Sequence, residues 1–378
     1  MHLKAAFLLK ILLGICLCRA ALYGQNITDD AVARDSLKEA FRCVYNYEFE
    51  RADVIVRPLQ KKYPEHPALV LYRCVYNFWK YYPIINHPAQ YEAYKKGLER
   101  VVELSEPKLQ KKANNPETNY LCLLGNLMLS RHLADESESM KAVNYARKSY
   151  TFIKRGFDMR ERFPDYYFTT GIYNYYREFY PEMHPMYKPF LSFFPPGNKA
   201  LGLTQLGIGV DESYFSRAEA LVFATLIHLR YENNAEKALY FATQLNADFP
   251  NNPVFKVIYA ETLLMNHKYE RAIPVVNQII KYPQKYFFLP AALFKAIIEE
   301  KYQAKEEQAK ETYLKAINLA KGLKKSGDNY AGLAYYFLAK MEADKGKSEM
   351  AKSYYKKAGE LCSYVKVKSE SKKYLDKR

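Results

Sequence analysis

Apolar residues return every three or four positions along most of the chain, the spacing that lays them on one face of an α-helix. No window sustains apolar–polar alternation with β-branched residues, so strands are not expected. Helix stops divide the pattern into pairs. The spacing predicts helices over 29–47 with 50–63, 67–80 with 89–104, 117–134 with 137–163, and 213–231 with 235–248. It continues with 252–266 and 269–281, 286–302 and 305–325, and 328–345 and 348–375. Pro64, Pro250 and Pro283 each follow the second helix of a pair, where the ring cannot continue a helix.

The pairs repeat in sequence as well as in pattern. Arg42-Cys43-Val44-Tyr45-Asn46 returns as Arg73-Cys74-Val75-Tyr76-Asn77, 31 residues later. Asn46-x-x-Phe49-Glu50-Arg51-Ala52 aligns with Asn266-x-x-Tyr269-Glu270-Arg271-Ala272. The aromatic packs between helices and the alanine permits close helix approach. These segments resemble the tetratricopeptide (TPR) repeat, whose period is about 34 residues. The resemblance implies an all-α fold, a right-handed α-solenoid of TPR-like antiparallel helix pairs, each burying its apolar face on the next.

Residues 165–212 form a central segment, within which Phe179 to Phe194 does not fit the period. Gly171-Ile172-Tyr173-Asn174-Tyr175-Tyr176 is followed by Pro196-Gly197-Asn198-Lys199 and Gly202-Leu203. This stretch resembles a segment of bacterial exported TPR proteins, and also the inclusion-clearance outer-membrane TPR proteins of fungi and their animal relatives. That likeness carries no catalytic residue with it. The organisation expected is 1–24 as a signal peptide, 25–164 as N-terminal helix pairs, 165–212 as a central segment with an aromatic, Pro-rich insert, and 213–378 as C-terminal pairs.

The first 24 residues have the order of an export signal: Lys4 and Lys10, an apolar run from Ile11 to Cys18, then small residues to Gly24. The run is shorter than the roughly 20 residues that span a bilayer. Cys16 follows Ile15 and Cys18 follows Leu17, a poor context for a lipid anchor. The expectation is a chain exported to the periplasm or cell envelope. Export argues against nucleic acid as partner.

Charge narrows the partner. The chain holds 57 Lys+Arg against 41 Asp+Glu, and removing Lys4, Lys10 and Arg19 leaves 54 against 41. Such a balance favours acidic or anionic partners. Cys43, Cys74 and Cys122 occupy equivalent positions of successive first helices. Helix axes pack about 8–10 Å apart, whereas a disulfide needs Cα atoms within about 7 Å. These cysteines are read as small core residues. No His or Cys spacing fits a metal, and no cofactor is expected. G-x-S-x-G, H-E-x-x-H and Walker patterns are absent from the sequence.

TPR arrays bind along the face lined by first helices. On that face the candidates are Arg42, Tyr45, Asn46, Arg73, Tyr76, Asn77, Tyr173 and Asn174. Asn offers a donor and an acceptor to a peptide backbone, and Tyr offers apolar area with a polar tip. The same tyrosines sit at core spacing, so inter-repeat packing is the competing reading. Met186, Tyr187, Phe190, Phe193 and Phe194 of the insert form a second candidate, for a protein or a membrane if exposed. The function that fits best is a non-catalytic scaffold holding a protein or peptide. A glycan-binding protein is the alternative, and an enzyme with an unrecognised site the third.

Overall fold

The computed structural model describes residues 26–136, 138–183 and 194–376. Among them every regular element is helical, and the chain forms TPR-like antiparallel pairs in series. The first pairs are α1 (Ala31–Tyr45) with α2 (Phe49–Lys62), α3 (Pro67–Lys80) with α4 (Pro88–Lys111), and α5 (Pro116–Asp135) with α6 (Ser139–Gly156). Then come α7 (Asp165–Met183) with α8 (Lys199–Glu212), and α9 (Arg217–Leu226) with α10 (Ala235–Asp248). The last are α11 (Pro253–Met265) with α12 (Tyr269–Ile279), α13 (Phe288–Lys301) with α14 (Glu306–Ala320), and α15 (Asp328–Asp344) with α16 (Ser348–Leu361). A final helix α17 spans Val365–Leu375. Two compact units divide at Ala220/Leu221.

Local chemistry explains the ends of these helices. Asn115 and Asn252 cap α5 and α11 by accepting backbone N–H bonds, and Pro116 and Pro253 fill the first helical position behind them. Five of the turns inside pairs place one residue in the left-handed region, two places before the second helix. Tyr47, Asn233, His267, Ala304 and Gly346 fill it, with φ of 62°, 49°, 56°, 55° and 72°. The following N–H then reaches back to a first-helix carbonyl, as Glu48 does to Cys43 at 2.8 Å and Lys268 to Leu263 at 2.9 Å. Four positions into the second helix, Ala52, Ala142, Ala238, Ala272, Ala309 and Ala351 are all buried. No larger side chain would let the two helices of a pair approach so closely.

The central segment holds regular structure, and three expected helix bounds need correction. The central segment is itself a helix pair, α7 with α8, and lies in the first unit. Gly171 and Gly202 make it possible: a Cβ on Gly202 would lie 2.6 Å from the Tyr175 nitrogen and 2.8 Å from the Gly171 oxygen. Asn174 adds a buried bond from its Nδ2 to Gln205 Oε1, 2.9 Å. The helix expected over 137–163 stops at Gly156, whose bare Cα faces the Tyr166 ring.

The helix expected from 213 begins at Arg217 instead, because the N–H groups of Tyr214, Phe215 and Ser216 are donated to the Asp165 carboxylate at 2.9, 2.9 and 2.8 Å. Its last turn, Ile227–Tyr231, is a π-helix. The helix expected over 348–375 breaks at Cys362. Ser363 donates its N–H and hydroxyl to Asn329 Oδ1 at 2.9 and 2.6 Å, and the Cys362 backbone rests on Gly332.

Candidate functional site

In the first unit, the inner face of the first helices is packed against the chain's own residues 214–219. Phe215 meets Phe41 and Phe163 at ring-centroid distances of 5.6 and 6.5 Å. Tyr120 and Ser216 share a hydroxyl hydrogen bond of 2.5 Å. Tyr45 donates its hydroxyl to the Glu219 carboxylate, 174 residues away. Burial pushes Glu219 up to about 7. Burial also raises Asp165, against the three N–H donors that favour its charged form.

In the second unit the π-turn carries Arg230, whose Nη2 donates to both oxygens of Glu261. Tyr364, just before α17, donates to the same carboxylate at 2.8 Å, and Tyr330 of α15 at 3.3 Å. His228, on the same π-turn, stacks on Phe241 at 5.7 Å, and burial pulls it down to about 4. The partners of Glu261 lie from 31 to 103 positions away from it, and no local motif announces them.

The groove candidates therefore divide. Tyr45, Asn46, Tyr76 and Asn174 are buried, and their polar tips are satisfied within the fold. Asn46 donates to Glu48, and the Tyr76 hydroxyl donates to Asp53 at 2.9 Å while accepting from Lys80 at 3.2 Å. The groove role expected of these four is corrected: neighbouring helices cover the face that was to receive a peptide. Arg42 pairs with Glu39 at 2.8 Å and Glu48 at 3.3 Å. Tyr173 donates to the Pro195 carbonyl at 2.7 Å, and Phe194 sits edge-on to Tyr150 at 4.8 Å. Both belong to the central hairpin. Met186, Tyr187, Phe190 and Phe193 lie outside the described residues.

Arg73 is exposed and Asn77 half-buried, and they flank a feature that the repeat pattern did not single out. Tyr47, Phe49, Trp79 and Tyr82 are half-buried and form a continuous aromatic ledge from the α1–α2 turn to the end of α3. Tyr47 meets Phe49 at 5.2 Å and Trp79 at 6.3 Å, and Trp79 stacks on Tyr82 at 5.7 Å. Phe49 then meets Tyr76 at 5.3 Å. The Arg73 guanidinium lies 5.6 Å over the Tyr76 ring, and the Lys80 ammonium 5.1 Å. Arg73 also lines a shallow cleft of about 250 Å³ with Gln60, Tyr63, Glu65, Leu69 and Val70. Arg73 thus lies between the cleft and Tyr76, the ring that packs on Phe49 of the ledge. The signal in sequence was the crowding of aromatics at Tyr45–Phe49 and Phe78–Tyr82, spread over two helix ends.

The four thiols of the described residues are poor nucleophiles. Cys43, Cys74, Cys122 and Cys362 are free and buried, and burial pushes each up to about 12. Among the described residues, no three His, Cys, Asp or Glu side chains converge as metal ligands do.

No protein-family model matches the chain, and no curated protein does. Among solved structures it is similar to the crystal structure of yeast Tom70, at 12% identity and a TM-score of 0.37. The match covers 82% of this chain and 63% of that one, so the chain spans less than two thirds of Tom70's length.

Proposed function

We propose that this protein is a non-catalytic scaffold of the cell envelope that holds a protein or peptide partner on its first unit. The observation that carries the reading is the half-buried aromatic ledge of Tyr47, Phe49, Trp79 and Tyr82, bordered by the exposed Arg73 and Lys80. Aromatic rings give contact area at low entropic cost, and arginine beside them is the usual makeup of a binding hot spot. Cations at the border favour a segment that carries acidic as well as apolar side chains. The inner groove is not the place for it, since Tyr45 and Tyr76 spend their hydroxyls inside the fold. Envelope residence rests on the Lys4-to-Gly24 pattern alone.

Trp79 is the sole tryptophan, so its emission reports on the ledge. Proteins cross-linked to the mature chain in envelope extracts should vanish with Trp79→Ala and with Arg73→Ala, and the purified partner should shift Trp79 emission. Recovery of the same proteins by both variants would sink the reading. The glycan alternative asks for a free ring face, and Tyr82 covers one face of Trp79. Quenching of Trp79 by envelope oligosaccharide would nevertheless establish it over the protein reading.

A further inference from the structure

Charge is not shared evenly between the two units. Residues 26–220 hold 27 Lys+Arg against 24 Asp+Glu, and residues 221–378 hold 27 against 17. Part of the second unit's surplus is gathered along one edge. In a stack of antiparallel pairs with their first helices side by side, the connections from one pair to the next lie along one edge. Two successive connections, residues 280–287 and 320–327, and the first turn of α17 beyond a third, residues 365–368, contain seven lysines and no Asp or Glu. On the opposite edge, at the turn inside the last pair, Lys345 pairs with Glu306 and Glu307 and Lys347 with Glu342, while Lys268 and Lys305 stand exposed at the two preceding turns.

On the connection edge Lys281, Lys285, Lys321, Lys325 and Lys366 are exposed, and among the described residues none has a carboxylate partner. Apolar side chains stand among them. Ile280 is 47% exposed and Phe288 39%, on either side of Lys281 and Lys285. Folding gains nothing from lysines collected in this way or from apolar side chains left in water.

We infer that this edge docks the protein onto an anionic lipid membrane. Lipid phosphates meet the lysines without needing directed partners, while Ile280 and Phe288 enter the headgroup boundary, the combination that holds peripheral proteins at interfaces. An acidic peptide would use the same cations but leave the two apolar residues unexplained. No helix of the described residues is long and apolar enough to cross a membrane, so the contact is peripheral. The inference is independent of the aromatic ledge, and its failure would leave the protein-binding proposal standing.

The test is co-sedimentation of the mature chain with vesicles of phosphatidylcholine, with and without phosphatidylglycerol. Binding should require phosphatidylglycerol and weaken with added salt. Each lysine near such a surface is worth about fivefold in partition, so Lys281→Glu/Lys285→Glu/Lys321→Glu/Lys325→Glu should lose more than about 100-fold. The milder pair Lys285→Gln/Lys321→Gln should lose about 25-fold, and it serves if the quadruple variant does not fold. Ile280→Ser/Phe288→Ser should weaken vesicle binding and leave binding of soluble polyglutamate unchanged. Equal binding to both vesicle types, or full binding by the lysine variants, would overturn the inference. Vesicle binding that the Ser variant leaves intact and that polyglutamate abolishes would overturn it too, and would assign the edge to an acidic protein.

Discussion

One nitrogen of Arg230 donates to both carboxylate oxygens of Glu261, at 2.9 and 2.8 Å, with Glu261 wholly removed from solvent. Two tyrosines, Tyr330 and Tyr364, bond the same carboxylate from α15 and from the start of α17. One buried charge pair thus ties the π-turn, α11, α15 and the C-terminal helix of the second unit. Removing one partner strands the other in a dry site, so Arg230→Met should cost about 3–5 kcal/mol in urea unfolding. Arg230→Met/Glu261→Leu should recover most of that loss. A double variant as unstable as the single one would mean that the pair itself, and not the stranded charge, is what matters.

The Glu219 carboxyl gives the first unit a pH dependence of definite sign. Its ordinary value of 4.5 rises to about 7 in the fold, because burial disfavours the charge. The folded chain therefore holds a proton that the unfolded chain releases. The associated stability is complete below 4.5 and is lost as pH rises through about 7. The loss should be on the order of 3 kcal/mol between mildly acidic and mildly basic solution. Glu219→Gln, which imitates the protonated acid, should flatten that part of the profile, as measured by urea midpoints across the range.

Gly202→Ala should open the α7–α8 crossing. The added Cβ would lie 2.6 Å from the Tyr175 nitrogen and 2.8 Å from the Gly171 oxygen, and backbone atoms cannot step aside. A loss of about 1–3 kcal/mol is expected. Gly207→Ala, in the same helix, is the control, because a Cβ there meets nothing within 4 Å. Helix propensity should make that change stabilising by up to about 1 kcal/mol.

Ala304→Gly should raise stability. Ala304 is exposed and sits at φ 55°, where a Cβ is strained, and the equivalent turn position of the next pair is already Gly346. Relief of strain outweighs the added freedom of the unfolded chain, for a net gain of about 0.5 kcal/mol. A lower melting temperature for this variant would contradict the turn geometry.

The four cysteines of the described residues should stay thiols under oxidising conditions. All are buried and raised to about 12. In a chain spanning residues 25–378, alkylation of the native protein should be slow, and denaturant should release four reactive groups at once. A mass lower by two hydrogens before denaturation would reveal a bridge.

Much of the helical array is legible in the amino-acid sequence. The bounds of α3 and α10 match the predicted 67–80 and 235–248 to the residue. They are set by neighbours in sequence: a capping side chain, a proline at the first turn, and i to i−4 hydrogen bonds. The pairing of α7 with α8 escapes such a reading because it rests on Gly171 and Gly202, 31 positions apart, where two helices touch.

The fate of the candidate groove belongs to a different scale. Whether Tyr45 faces a ligand or the core depends on Glu219, 174 residues away, and on the stretch 214–219 that packs over it. The fate of Glu261 depends likewise on Tyr364, 103 residues later. Most helices and turns follow from side chains within about five positions of one another, and these the sequence determines by itself, whereas the start of α9 and the end of α16 are set by the distant Asp165 and Asn329. Which inward side chains are sealed, and which carboxylates are buried with which donors, is decided only when distant pairs come together, because burial depends on what covers a residue as well as on the residue itself.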